Sequence, residues 1–335
     1  MIDRALTTRI AGSIGQLVLL LLFVVLTVFT LVHMAPGDPA NLYLGLGATA
    51  EQVAAFHRQM GMDRPLPEQF FALLRQLLTG DLGTSLAYRM PVIDIIAQKL
   101  PASLLLMISG YLFALIVGIG AGILGAWKQD TPVETFVRVA SGLVYAQPEF
   151  IVGIVILVLA TTFLPWLPMV GMGASDATGW GAVGTTMLYL IGPALALGIA
   201  RAGTYARMTL AAMLSALNQD YVVTHRAAGF SERRIVLVYA LRNALLPIVT
   251  TIGIEIRFLF AGAVVTEVIF SWPGIGRLIF DGILNRDAPL IIGVFFVVAV
   301  LTMVINLVTD IAYALLDPRV RTGARPHSNQ QPAQG

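Results

Sequence analysis

Residues 102–127 read ASLLLMISGYLFALIVGIGAGILGAW, with no acidic or basic side chain among them. A bilayer core about 30 Å thick is crossed by roughly 20 helical residues, so this run predicts a transmembrane helix. The whole chain of 335 residues is 57% hydrophobic and only 12% charged, with a mean hydropathy of +0.81. One soluble core could not bury that much apolar surface. The sequence therefore predicts a polytopic, all-α integral membrane protein.

Outward from residues 102–127, the chain has five more apolar runs of spanning length. The six predicted transmembrane helices are Ile10–Met34, Ala102–Trp127, Phe136–Leu164, Met187–Leu210, Ala244–Phe270 and Pro289–Leu315. The first run is too long for a typical signal-peptide core and is not followed by an Ala-x-Ala pattern. We therefore expect it to remain as an uncleaved first span.

Basic residues fix the predicted orientation, because short cytoplasmic flanks are rich in Lys and Arg. The two outer connections carry few of them: residues 165–186 have none, and residues 271–288 have only Arg277 and Arg286. Both termini are therefore predicted to be cytoplasmic. The basic residues of the predicted cytoplasmic flanks are Arg4, Arg9, Lys128, Arg138, Arg226, Arg233, Arg234, Arg242, Arg319, Arg321 and Arg325.

This topology divides the chain into four predicted parts. They are residues 1–34, the N-terminus and first helix; 35–100, an extracytoplasmic helical region; 101–316, the transmembrane core with five helices; and 317–335, a cytoplasmic tail expected to be disordered at its end. Within 35–100 we predict one helix after the Thr49–Gln52 capping box, one opening at Pro67 and a third over Pro91–Leu100. This region fits a folded cap on the membrane surface and a docking surface for a partner equally well.

Segments 165–186 and 271–288 are predicted loops at the outer mouth of the protein. Gly171, Trp272, Pro273, Gly274 and Gly276 are typical loop-forming residues there. Cysteines placed at Gly171 and Gly274 are expected to react with an impermeant thiol reagent.

The residues do not form a recognisable catalytic motif. A P-loop requires Lys followed by Ser or Thr, but Lys99 precedes Leu100 and Lys128 precedes Gln129. Cysteine is absent, and the four histidines have no second ligand at helical spacing. We predict no cofactor and no metal site in this chain.

Four charged residues fall within or at the end of apolar spans: Glu149, Glu255, Arg257 and Glu267. A charge within a membrane span normally faces protein or water, so these four are candidates for a transport pathway. Glu255 and Arg257 are two residues apart and do not share a helix face. A pairing or snorkelling role is an equally good interpretation for Glu267, near the outer boundary. An ion-coupled secondary transporter or an intramembrane enzyme stays open at this point.

The connection between the fourth and fifth spans reads NQDYVVTHRAAGFSERRI over residues 218–235. Small residues at Ala227, Ala228 and Gly229 would let this backbone approach another surface closely. Gly229 can stop one short helix and Ser231 can cap the next. A helix lying on the bilayer surface would explain the arginines, but it would not require the cluster of small residues.

This segment resembles the cytoplasmic coupling motif of binding-protein-dependent ABC importer permeases of the dipeptide/oligopeptide class. Where that class usually has Ala-Arg-Ala-Lys-Gly, this chain has HRAAG over 225–229. The outer region after the first span resembles the first of the two permeases in such systems. Further matching blocks are Ala35–Pro39, Gly61–Leu66, Gly80–Ser85, Glu267–Gly276 and Leu315–Arg319.

The resemblance implies a permease in a bacterial plasma membrane, working with a second homologous permease, two cytoplasmic ATPase subunits and an extracytoplasmic solute-binding protein. ATP and Mg²⁺ would be bound by the ATPases. Di- and oligopeptides are the implied substrates, with nickel complexes, glutathione or sugar derivatives as alternatives. The coupling segment, about 216–240, would contact the ATPases through Asp220, Tyr221, Arg226, Ala227, Ala228, Gly229, Arg233 and Arg234.

Overall fold

A computed structural model describes residues 2–34, 40, 44, 45, 47–173, 179–256 and 259–316. These residues are helical throughout apart from connections and one isolated antiparallel bridge between Thr84 and Pro91. The helices are α1 (Ile2–Met34), α2 (Ala50–Met60), α3 (Leu66–Leu78), α4 (Val92–Trp127), α5 (Pro132–Ala146), α6 (Glu149–Phe163), α7 (Gly179–Leu217), α8 (Asp220–Ala227), α9 (Glu232–Ile256), α10 (Leu259–Ile269), α11 (Ile275–Leu284) and α12 (Ala288–Leu316).

Four helices in the described residues, α4, α7, α9 and α12, are long and apolar enough to cross a membrane. The α5–α6 pair makes a fifth span if both helices are counted together. The apolar part of α1 whose side chains are described is Val18–Met34, which is shorter. The all-helical membrane fold is thus confirmed, while the count of six stays a prediction.

The third predicted span, Phe136–Leu164, is not one helix. It is broken between Ala146 and Glu149, and α5 and α6 meet at an angle of 105°. Pro148 has no N–H to donate and disfavours helical backbone at the preceding residue, Gln147, whose ψ is 137°.

The separate helix predicted over Pro91–Leu100 is also wrong. Residues from Val92 onward form the first turns of α4, which continues through Pro101 to Trp127. Val92, Ile95 and Ile96 are buried in a cluster with residues of α11 and α12. That packing holds these turns in line with the rest of α4.

Between α1 and α4, two helix starts agree with the prediction. Thr49 and Gln52 form a complete capping box at α2, and Gly61 ends that helix in the left-handed conformation. Pro67 lies in the first turn of α3. Both helices therefore follow from local sequence.

The tightest helix pair is α4 with α7, and small residues make it possible. A methyl group at Gly118 would lie 2.7 Å from the carbonyl oxygen of Ala202. One at Gly122 would lie 2.8 Å from the carbonyl oxygen of Ala206 and 2.5 Å from Cβ of Thr209. Close backbone approach of this kind is typical of membrane helices. It fixes the position of the polar side chains that α7 carries toward α5, α6 and α9.

Candidate pathway and coupling sites

Glu267, near the C-terminal end of α10, is fully buried and holds the following loop in place. Its carboxylate accepts hydrogen bonds from Ser103 Oγ at 2.5 Å and from the backbone N–H groups of Gly276 and Arg277 at 2.7 and 3.1 Å. A carboxylate at the first turn of α11 is also favoured by the helix dipole. This geometry favours a structural role over a pathway role for Glu267.

The same loop is not the open mouth that we expected. Trp272 is completely buried and donates from Nε1 to the carbonyl oxygen of Ala102 at 2.8 Å. Gly274 is buried, and a side chain there would collide with the carboxylate of Glu267. The expectation that a cysteine at Gly274 would be accessible is therefore wrong, because a single buried carboxylate draws this loop inward.

A second buried carboxylate, Asp287, joins the start of α12 to the segment between α3 and α4. It accepts from Ser85 Oγ at 2.5 Å, from Ala87 N–H at 2.9 Å and from Leu290 N–H at 3.1 Å. Burial raises the pKa of the neighbouring Tyr88 phenol, and the negative charges of Asp281 and Asp287 add to the effect. The segment from Gly83 to Val92 is thereby fixed against α12.

Deeper in the helical core, Glu149 and Glu255 converge on Arg201 of α7. Arg201 pairs with Glu255 at 2.5 Å and with Glu149 at 3.5 Å. The group contains two carboxylates for one guanidinium, and Oε1 of Glu149 has no hydrogen-bond partner among the described residues. These charges therefore lie against protein, and their joint partner comes from a third helix, while their pathway role stays a prediction.

The charged group is closely packed on the sides that face α4 and α10. Tyr111 of α4 donates to the backbone carbonyl of Glu255 at 2.7 Å, and its ring centroid lies 5.8 Å from the Arg201 guanidinium carbon. A methyl group at Gly262 would lie 2.7 Å from Arg201 and 2.9 Å from Glu149. The side chain of Arg257 lies outside the described residues.

Sequence reasoning missed Arg201 and Arg207, both inside the run Met187–Leu210. Their position inside an apolar run could have identified them, because any basic residue in a membrane span requires a partner or water. Arg207 is exposed, and its guanidinium carbon lies 4.0 Å from the centroid of the Tyr145 ring. Tyr145 stands just before the α5–α6 bend, and Glu149 stands just after it.

The predicted coupling segment folds as the small-residue pattern indicates. Helix α8 ends at Ala227, and Gly229 takes a left-handed φ of +79°. Ala227, Ala228 and Gly229 are all exposed, and a side chain at Gly229 would meet nothing within 4 Å. Ser231 occupies the position before the next helix but makes no side-chain capping bond.

Contacts between the end of α8 and the start of α9 hold the turn at Ala228–Ser231. Across it, Arg226 forms a two-bond ion pair with Glu232, at 2.7 and 3.2 Å. The hydrogen bond to Glu232 raises the pKa of the Arg226 guanidinium. Phe230 N–H donates to the carbonyl oxygen of His225 at 3.1 Å, and Arg234 stacks over the Phe230 ring.

Behind the turn, an aromatic group anchors α8 to the start of α9. The His225 ring lies 5.3 Å from that of Phe230 and 4.1 Å from that of Tyr239, measured between centroids. Tyr221 donates to the carbonyl oxygen of Ala216 at 2.9 Å, and Val222 is completely buried. Of the predicted coupling residues, Asp220, Arg226, Arg233 and Arg234 are exposed, whereas Tyr221 is half-buried. The segment therefore presents an exposed small-residue tip on a packed base.

Comparisons with known proteins agree with this architecture. Residues 115–322 match the family described as binding-protein-dependent transport system inner membrane component, and residues 3–107 match the N-terminal family of the same membrane components. The chain is 39% identical over 303 residues to glutathione transport system permease protein GsiC of Escherichia coli O6:H1, covering 90% of this chain and 94% of that protein. The chain is 38% identical over 303 residues to GsiC of Pectobacterium atrosepticum, again covering 90% of this chain and 94% of that protein.

A solved structure of the MetNI methionine ABC transporter has the same fold. It aligns with a TM-score of 0.54 at 16% identity, covering 67% of this chain and 97% of that chain. The helical membrane fold and these matches define the permease subunit of a binding-protein-dependent ABC importer. The chain belongs to the binding-protein-dependent transport system inner membrane component family. Its place is the bacterial inner membrane.

Proposed function

We propose that this permease imports short peptides, a class that includes the tripeptide glutathione. The observation that carries the proposal is the 39% identity to a glutathione permease over 90% of the chain. Nickel complexes and sugar derivatives remain the alternatives for the same machine. The full transporter would add a second homologous permease, two ATPase subunits that bind ATP and Mg²⁺, and an extracytoplasmic binding protein.

The proposed topology has six spans with both termini in the cytoplasm. α1 is the sixth span, in addition to α4, α7, α9, α12 and the α5–α6 pair. Its 33 residues would measure about 50 Å at 1.5 Å per residue, which is longer than the bilayer core. The α5–α6 pair counts as one bent span. Because the chain has no cysteine, single cysteines at exposed Leu78 and Ala228 report the two sides of the membrane. With an impermeant reagent, Leu78→Cys should react in intact cells and Ala228→Cys only after lysis.

In this scheme the exposed tip at Ala227–Gly229 docks on an ATPase subunit. Its support is the geometry: small side chains, a left-handed glycine, and an aromatic base that would transmit movement into α9. Arg233 and Arg234 would supply charge at the edge of that contact. Linkage requires the tip to contact the ATPase differently in the two states of the transporter.

Inside the membrane, we assign Glu149 and Glu255 to the pathway wall together with Arg201. Glu267 is assigned to the structure of the outer loop. Arg257 keeps its predicted pathway role.

The test is uptake by proteoliposomes containing the complete complex. Labelled glutathione and dipeptides are supplied with the binding protein outside, with and without ATP inside. ATP-dependent uptake of either substrate supports the proposal. Uptake that needs an ion gradient and no ATP would favour the secondary transporter, and uptake of nickel complexes alone would reject peptides.

A further inference from the structure

The bend between α5 and α6 is an exposed break in the pair of helices that we propose to be one membrane span. Tyr145, Ala146, Gln147 and Pro148 are all exposed, and the two helices diverge there by 105°. Irregular backbone at membrane depth is tolerated where it lines a water-filled cavity or is covered by protein. Broken helices of this kind form substrate sites in other transporters. The bend therefore needs water or a partner surface in front of it.

Opposite charges stand on the two sides of this bend. On the α5 side, the Arg207 guanidinium stacks on Tyr145, and no carboxylate is paired with it in the described part of the chain. On the α6 side, Glu149 shares one guanidinium with Glu255, and its side chain remains 23% exposed although its Oε1 is buried without a hydrogen bond. A cation without a paired carboxylate thus stands on one side of the bend, and two carboxylates that share one guanidinium stand on the other.

The spacing suits a short zwitterion. Arg201 and Arg207 are six residues apart on α7, which is about 9 Å along the helix axis and about 120° around it. Three extended residues span about 10 Å, and the long side chains of Arg207 and Glu149 add to that reach, so a tripeptide matches the scale of the site. A guanidinium is suited to binding a carboxylate, and a carboxylate accepts hydrogen bonds from an ammonium group.

We propose that this bend is a peptide-contact site on this chain's side of the translocation pathway, where Arg207 binds the substrate carboxylate and Glu149 its ammonium group. Arg201 is a positioning residue that holds Glu149 against α7. The inference rests on the proposed peptide function. It goes further by assigning the peptide contact to one bend and by stating which end of the peptide each charged residue binds.

Thiol chemistry tests the bend without any substrate. Ala146→Cys in the assembled complex should react with small charged methanethiosulfonates, whereas Ile116→Cys, on an exposed apolar face of α4, should react slowly. Adding Arg207→Gln should lower the ratio of anionic to cationic reagent rates at Ala146→Cys about threefold or more, because a nearby charge attracts the oppositely charged reagent. Ala146→Cys as unreactive as Ile116→Cys would overturn the inference.

Transport tests the polarity. Arg207→Gln and Glu149→Gln should each lower maximal peptide uptake about tenfold, the usual effect of losing one charge-assisted hydrogen bond. Arg207→Lys should restore part of it. The matched control is Arg138→Gln on α5, which removes an exposed cation paired with Glu134 and should leave uptake unchanged.

The outcomes separate this site from the function it rests on. If the unaltered complex imports no peptide, the proposed function fails, and the thiol rates still decide whether the bend is a charged, water-filled site. If the unaltered complex imports peptides and both charge variants match it, the site inference alone is overturned. Loss of assembly with the second permease in Arg207→Gln would also overturn it, because Arg207 would then be an interface residue.

Discussion

Ser85 Oγ donates a 2.5 Å hydrogen bond to the carboxylate of Asp287, 202 residues further along the chain. Both side chains are buried, with exposed fractions of 1% and 0%. The same carboxylate also caps α12 through Leu290 N–H. One acidic residue thus joins the segment between α3 and α4 to the start of α12. The apolar pattern of neither segment predicts this contact.

Asp287→Ala should destabilise this junction strongly. It removes the acceptor for Ser85 Oγ, Ala87 N–H and Leu290 N–H, and each buried donor left unsatisfied costs roughly 1–3 kcal/mol. The matched control is Asp281→Ala, which breaks a partly exposed pair with Arg277 and should cost less than about 1 kcal/mol. Thermal unfolding of the purified complex, with proteolysis around residues 81–91, measures both. Equal unfolding temperatures for the two variants would contradict a structural role for Asp287.

The α4–α7 contact gives a second prediction within a single helix. Gly122→Ala should cost roughly 1–3 kcal/mol, because its methyl group would press against Thr209 and the backbone of Ala206. Gly120→Ala adds the same methyl group where nothing lies within 4 Å, so it should be neutral or stabilise by up to about 1 kcal/mol. Thermal unfolding in one detergent compares them. A destabilising Gly120→Ala would show that this face of α4 is covered in the assembled transporter.

Sequence alone predicted the elements that depend on local or compositional signals. Apolar runs long enough to cross a bilayer became helices, the capping box opened α2, and Gly229 ended α8 in the left-handed conformation. These features need no knowledge of distant residues, so the sequence contained them in full.

What sequence could not supply was which helices meet. Pro101, Pro193 and Pro247 lie inside continuous helices, while Pro148 coincides with a 105° bend, so proline by itself does not decide a break. The partner of Glu255 proved to be Arg201, 54 residues away, because α7 packs beside α9. Such pairings depend on tertiary packing, which the spacing of charges within one span does not encode.

The Arg226–Glu232 pair allows a test of how the turn is held. Both side chains are about half exposed, so a double-mutant cycle should give a coupling energy below about 1 kcal/mol. If Arg226 acts by holding the turn, Arg226→Ala and Glu232→Ala should lower stimulated ATPase activity to a similar extent. A large loss in Arg226→Ala with none in Glu232→Ala would instead show that Arg226 contacts the ATPase directly.

The last prediction concerns mechanical coupling at the small-residue tip. Ala228 is exposed with an ordinary φ of −76°, so Ala228→Leu should cost the permease itself little. Against an ATPase groove that fits a methyl group, the added atoms must clash or open a gap, at roughly 1–3 kcal/mol, which lowers docking by about tenfold or more. We therefore expect Ala228→Leu to insert and pair with the second permease but to lose substrate-stimulated ATP hydrolysis and transport.

Two substitutions at Gly229 distinguish the effect of side-chain size from the effect of backbone conformation in the same experiment. A Cβ at Gly229 would meet no described atom within 4 Å, yet the positive φ of +79° is strained for a β-branched residue. Gly229→Val should therefore lose coupling both through its bulk at the ATPase contact and through backbone strain. Gly229→Asn tolerates the left-handed conformation better and should keep the turn while adding bulk. ATPase activity is measured in each purified complex with and without loaded binding protein.

If docking requires a small tip, Gly229→Asn and Gly229→Val should both abolish stimulation. If only the backbone matters, Asn should retain it. Normal stimulation in Ala228→Leu and Gly229→Val together would show that this turn is not the joint between permease and ATPase.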